Sequence, residues 1–158
     1  MPITGPRGFR GLGTPLRRLI RATLAIEGAR PGEIGVVLSD DSELRALNRR
    51  WRGIDRATDV LSFPYPSVAK QAPGRRGAPV VSGDLVISLD RTVEQARRYR
   101  VSVGRELARL VVHGTLHLAG HDHHAPAERG RMRRAEAKAL RGSRDSIAAL
   151  DAAWRRTG

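Results

Sequence analysis

Val103-Gly-Arg-Glu-Leu-Ala-Arg-Leu-Val-Val-His113-Gly-Thr-Leu-His117-Leu-Ala-Gly120-His121-Asp122-His123-His124 holds all five histidines of the 158-residue chain. Leu107, Leu110, Val111 and Leu118 recur at helical spacing, and Ser102 is a suitable N-cap, so the stretch predicts a helix over 103–119. His113 and His117 then share one helix face as an i, i+4 pair, with Cβ atoms about 5–6 Å apart. Gly120 can adopt a positive φ and end the helix, turning a later histidine back toward the first two. Three neutral imidazoles with a fourth position open is a catalytic zinc arrangement. His121, His123 and His124 compete for the third place. His123 is favoured, because ten residues separate it from His113, the spacing of the third ligand in metzincin proteases. Those proteases carry their general-base Glu directly after the first His. Here that position is Gly114, so a protease reading loses its base.

Outward from this helix the chain alternates short apolar runs with amphipathic stretches. Residues 33–39, 59–63 and 84–89 read as strands. Helices are expected from Thr14-Pro15 (cap and N1 proline) to Gly28, after Asp40 and Asp41 with Leu44, Leu47 and Trp51 inward, over 92–99, over 128–140 and over 144–156. Met1–Gly13 reads as irregular, and Pro66–Pro79 as a basic, proline-rich loop. The expected fold is α+β: a three- or four-stranded sheet packed with about five helices, the histidine helix near the core. Residues 1–14 are expected to form an irregular N-terminal segment, 15–142 a single metal-dependent domain, and 143–158 a C-terminal helical extension.

The net charge of +13, from 29 Lys+Arg against 16 Asp+Glu, directs the chain toward polyanions, nucleic acid first. A GC-rich composition accounts for Arg over Lys, but does not require so few acids. No apolar run approaches the roughly 18 residues of a membrane span, and no secretory h-region opens the chain. The absence of cysteine excludes disulfide partners and thiolate metal sites. A cytoplasmic, non-membrane protein is expected. Few aromatics (4%) argue against a platform stacking many bases, so backbone-dominated, salt-dependent RNA binding is expected.

Two separated blocks carry a family resemblance. His113-Gly-x-Leu-His117-Leu-x-Gly120-His121-Asp122-His123 resembles the signature of the YbeY family of bacterial endoribonucleases and ribosomal RNA maturation factors. Leu47-Asn48-x-x-Trp51-Arg52-Gly53-x-Asp55-x-x-Thr58-Asp59-Val60-Leu61-Ser62-Phe63-Pro64 resembles the family's other block. Gly83–Ser88 is similar to its sheet strand, and Glu106 also fits. The likeness covers about residues 33–140. The N-terminus departs by lacking the family's usual first strand. His121 stands where the family often has Tyr, and the tail beyond about Gly142 has no counterpart.

The resemblance implies one Zn²⁺ held by His113, His117 and His123, the three that spacing also favours, and a part in catalysis for Arg52, with His113 and His117 counted in the catalytic set. Neutral His₃ ligation leaves the ion its +2 charge, which lowers the pKa of a bound water toward about 7 and polarises a phosphoryl oxygen. A guanidinium can grip two phosphate oxygens and stabilise growing charge. Asn48 and Ser62 are candidates to bind substrate or hold the loop, Thr58 and Asp59 to brace it. Asp122 either orients water or fixes a ligand histidine. The general base stays open. The implied function is a zinc-dependent, single-strand-specific endoribonuclease in ribosomal RNA maturation and ribosome quality control, with ribosomal RNA and the small subunit as partners. The alternatives are a non-catalytic assembly factor with a structural zinc, and a zincin-like hydrolase of another substrate.

Overall fold

A computed structural model describes residues 1–66, 77–122 and 124–157. Its elements are β1 (Ile3–Thr4), a 3₁₀ turn (Arg10–Leu12), α1 (Gly13–Ile26), β2 (Arg30–Ser39), α2 (Asp41–Arg52), β3 (Val60–Pro64), β4 (Val80–Ser88), α3 (Leu89–Tyr99), α4 (Val103–Leu118), α5 (Pro126–Arg141) and α6 (Arg144–Thr157). The four strands form one mixed sheet in the order β1-β2-β4-β3, parallel except for the antiparallel β3–β4 pair. The expected α+β class is borne out, with four strands and six α-helices among the described residues.

Burial along β2 and β4 shows why both sheet faces are covered. Ile34, Val36 and Leu38 alternate into the main core beside Leu85 and Ile87. Val86 points the other way, onto Leu44 of α2 and Leu61 of β3. A strand buried on both faces loses polar alternation, and β4 reads accordingly as Leu85-Val86-Ile87. Helix α4 lies in the main core against α1, α3, α5, α6, β3 and β4. Its Leu107, Leu110, Val111, Val112 and Leu116 are fully or almost fully buried.

Four readings of the sequence change here. Met1–Gly13 is not irregular throughout: Ile3–Thr4 pairs with Val36–Val37, so the sheet edge is present but only two residues long. Thr14 does not cap α1. The helix starts at Gly13, runs on from the 3₁₀ turn with Leu12 as N-cap, and no side chain caps it. Trp51 is 62% exposed instead of packing inward; it meets Phe63 edge-on and carries Arg50 beside its ring. Residues 144–157, set apart as an extension, share the main core through Leu150 and Ala153. Trp154 packs on Phe9, and the Asp151 carboxylate accepts a hydrogen bond from the Gly104 amide at 2.7 Å. That bond satisfies one of the open N–H groups at the start of α4, beside the Ser102 cap on Arg105. Most of the 66–79 loop lies outside the described residues.

Candidate metal and phosphate site

Almost every side of α4 is buried, as in a helix at the centre of a core. Arg109, His113 and His117, one turn apart, are partly exposed and form an open stripe along it. The two imidazoles converge: His113 Nε2 and His117 Nε2 are 3.1 Å apart. Two nitrogens each about 2.0–2.1 Å from a tetrahedral zinc stand roughly 3.3–3.4 Å from one another. The pair therefore fits two positions on such an ion.

The end of α4 sets the ring of His117. Gly120 takes φ 102°, as expected of a helix-ending glycine. The His121 amide donates back to the Leu116 carbonyl at 3.0 Å. The His121 carbonyl then accepts from His117 Nδ1 at 3.0 Å. A carbonyl only accepts, so the proton is on Nδ1, and the neutral ring keeps its Nε2 lone pair for a cation. His121 contributes by its backbone. Its own ring faces away, with Nε2 2.9 Å from the Glu27 carboxylate at the end of α1. The Asp122 carboxylate accepts from the His124 amide at 3.2 Å. His123 lies outside the described residues. Among those described, no three His, Asp or Glu side chains gather closely enough to hold a metal.

Gly114, in the place of the protease Glu, has a packing reason. A Cβ there would come within 2.8 Å of Leu85 Cδ2 and 3.2 Å of both Ser62 Oγ and Val60 Cγ2. A side chain at 114 would point into the sheet, not toward the histidines. Ser62 uses the closeness, donating from Oγ to the Gly114 carbonyl at 3.2 Å.

Arg52 sits in the last turn of α2, which ends at Gly53 in the left-handed conformation (φ 69°). It lines an open cavity of about 820 Å³ with Asn48, Arg45, Arg56, Thr58, Val60 and Arg91 among others. Arg45 is held by Asp55 through two bonds, at 2.8 and 3.2 Å, and Arg91 by Asp41 at 3.2 Å. Arg52 and Arg56 have no acidic partner among the described residues, so the cavity keeps two uncompensated cations. The Arg45 hydrogen bond first, joined by the charges of Arg45 and Arg49, outweighs desolvation and holds the Asp55 carboxyl below the usual carboxylate range. Asn48 donates to the Arg56 carbonyl at 2.9 Å, so it holds the loop, and the Asp59 carboxylate caps the Val60 amide at 2.8 Å. Val60 joins the two halves of the site: it lines the arginine cavity, and its Cγ2 faces Gly114 between the two histidines, 3.2 Å from where a Cβ there would stand.

A family model described as "Endoribonuclease YbeY" matches residues 13–144. The chain belongs to the endoribonuclease YbeY family. It is 48% identical over 136 residues to the endoribonuclease YbeY of Anaeromyxobacter sp. (strain Fw109-5), covering 86% of this chain and 67% of that protein. It is 43% identical to that of Myxococcus xanthus, covering 90% of this chain but 46% of the relative, so the chain spans about half the length of that protein. With the relative from Roseiflexus sp. (strain RS-1) it shares 43% identity over 80% of each chain. The solution structure of TM1509 from Thermotoga maritima superposes with a TM-score of 0.60 at 25% identity, over 98% of this chain and 90% of that one. The family expectation drawn from the two motif blocks is borne out.

Sequence reading picked out Glu106 but missed Arg109 and Glu136, which stand with it behind the YbeY histidine stripe. Glu106 is 1% exposed and hydrogen-bonds Arg109, whose Nη1 is 3.8 Å from Glu136 Oε1 of α5. Burial pulls the Arg109 guanidinium down, but the Glu106 hydrogen bond and the charges of Glu106, Glu136 and Asp59 outweigh it and raise it. The signal for Glu136 was available: it falls between Met132 and Ala139 on the buried face of α5, where an acid is out of place.

Proposed function

We propose that this YbeY-family chain is a zinc-dependent, single-strand-directed endoribonuclease acting in ribosomal RNA maturation and ribosome quality control. The observation that carries the reading is the converging Nε2 pair of His113 and His117 at 3.1 Å, joined through Gly114 and Val60 to a cavity holding Arg52. His113, His117 and His123 would hold one zinc ion, which supplies Lewis-acid polarisation of a phosphoryl oxygen and a bound water of lowered pKa. Arg52 grips non-bridging phosphate oxygens through its planar fork, and Arg56 adds a second positive charge along the same cavity. Asn48 and Asp59 keep the 53–59 loop in the shape that presents Arg56 beside Arg52 at the end of α2. Ribosomal RNA and the small ribosomal subunit are the proposed partners, and the cytoplasm the proposed compartment.

The test is cleavage of single-stranded RNA by folded His113→Ala, His117→Ala and Arg52→Ala proteins. All three are expected to lose most activity. Full cleavage by the two histidine variants overturns the metal reading. Histidine variants that melt, beside an Arg52→Ala protein that processes RNA normally, indicate an assembly factor with a structural zinc.

A further inference from the structure

Glu136 is placed as no surface carboxylate would be. Its side chain is 14% exposed, and Oε1 is buried without a hydrogen-bond partner. That oxygen lies 3.6 Å from His113 Nδ1 and 3.8 Å from Arg109 Nη1, too far for hydrogen bonds and close enough to become one with a small movement. A buried acceptor left unbonded costs about 1–3 kcal/mol, so such groups are retained where they do something. Glu106 anchors Arg109 from the opposite side, one turn before His113 on α4. Glu106, Arg109, Glu136 and His113 thus form a line of alternating charge that ends on the ring whose other nitrogen faces His117.

We propose that Glu136 is the positioning residue for His113, holding its ring so that Nδ1–H points at the carboxylate and Nε2 at the cation site. The inference rests on the metal reading above. A cation on Nε2 makes Nδ1–H a stronger donor, and Glu136 Oε1 is the acceptor facing it. His117 has a carbonyl in the same role, at His121. The two histidines are therefore held by different means, one by α4's own terminus and one by a carboxylate brought from α5. Losing such a support commonly lowers metal affinity by about 10–100-fold.

The experiment is zinc affinity of the full chain, measured by competition with a chelating dye at a pH above the imidazole range, with thermal melting of each metal-free protein. Glu136→Ala is expected to bind zinc about 10–100-fold more weakly than wild type. Glu136→Gln, equal in shape and able to accept through its amide oxygen, is expected to recover part of the loss. Co²⁺-loaded Glu136→Ala is expected to show shifted ligand-field bands. Wild-type zinc affinity in Glu136→Ala, or an unshifted Co²⁺ spectrum in that variant, overturns the inference. Should Glu136→Ala not fold, Glu136→Gln alone decides, and affinity equal to wild type overturns it. A wild-type protein that takes up no zinc overturns the metal reading, and the inference with it.

Discussion

Ser62 donates its hydroxyl proton to the carbonyl of Gly114 at 3.2 Å, and this bond pins β3 to the turn of α4 between the two converging histidines. The block carrying Arg52 feeds into β3, so one contact sets the depth of the histidines relative to the arginine cavity. A helix carbonyl can accept this second bond because Gly114 lets the strand approach. The cost of a methyl group at 114 follows directly.

Gly114→Ala drives a Cβ to 2.8 Å from Leu85 Cδ2, a fully buried side chain. Overpacking of this kind costs about 1–3 kcal/mol, against a helix-propensity gain of at most about 1 kcal/mol. A net loss of about 1–2 kcal/mol is expected in urea unfolding, with weakened RNA cleavage as α4 is pushed off β3. Stability equal to wild type would show that the sheet yields freely there.

Asp151 ties α6 to the first turn of α4. Asp151→Ala is expected to destabilise by about 1–2 kcal/mol, in the range of a lost helix cap. Asp151→Asn, which keeps an acceptor, is expected to lose less. Thermal melts of the two proteins check this, and equal melts would remove the capping role.

Arg52→Ala is expected to slow RNA cleavage by about 10²–10³-fold, the usual effect of deleting one donor at a developing charge. Its salt dependence of RNA binding is expected to flatten by about 0.7 in log–log slope, one phosphate contact on a single strand. Arg52→Lys is expected to recover the slope more than the rate, since an ammonium keeps charge but not the fork. A rate within twofold of wild type for Arg52→Ala would remove Arg52 from the chemistry.

Asp55 gives a pH dependence with a definite sign. Its folded-state carboxyl titrates below the unfolded one because Arg45 bonds the ionised form. The stabilisation it gives is present above the unfolded value, near pH 4, and is lost as pH falls through the folded value. The stability difference between wild type and Asp55→Asn should therefore be small at neutral pH, as exposed pairs give, and vanish in acid. A difference that grows on acidification contradicts the pairing.

Much of the site was legible because its chemistry is local. His113, His117 and Gly120 lie on one helix and its end, so spacing alone placed them. Asn48, Arg52 and Asp59 were legible as a block, although only the structure shows Asn48 and Ser62 holding backbone. Glu136 showed only as an acid on the buried stripe of α5; its partner His113 lies on another helix, and pairing across helices leaves no period in a sequence. Trp51 misled for the opposite reason: it falls on the apolar stripe of α2, yet it meets Phe63 edge-on and stays 62% exposed. The two-residue β1 was too short to show alternation. The apolar side of α6 (Ile147, Leu150 and Trp154) was legible, but its tie to α4 through Asp151 and the Gly104 amide was not, because that contact crosses helices.

The most direct measurement is the zinc content of the purified full chain, coupled to cleavage of single-stranded RNA before and after chelation. One zinc per chain is expected, with cleavage lost when the metal is removed and restored when zinc is returned. Undiminished cleavage by the metal-free protein would contradict the role given to His113 and His117.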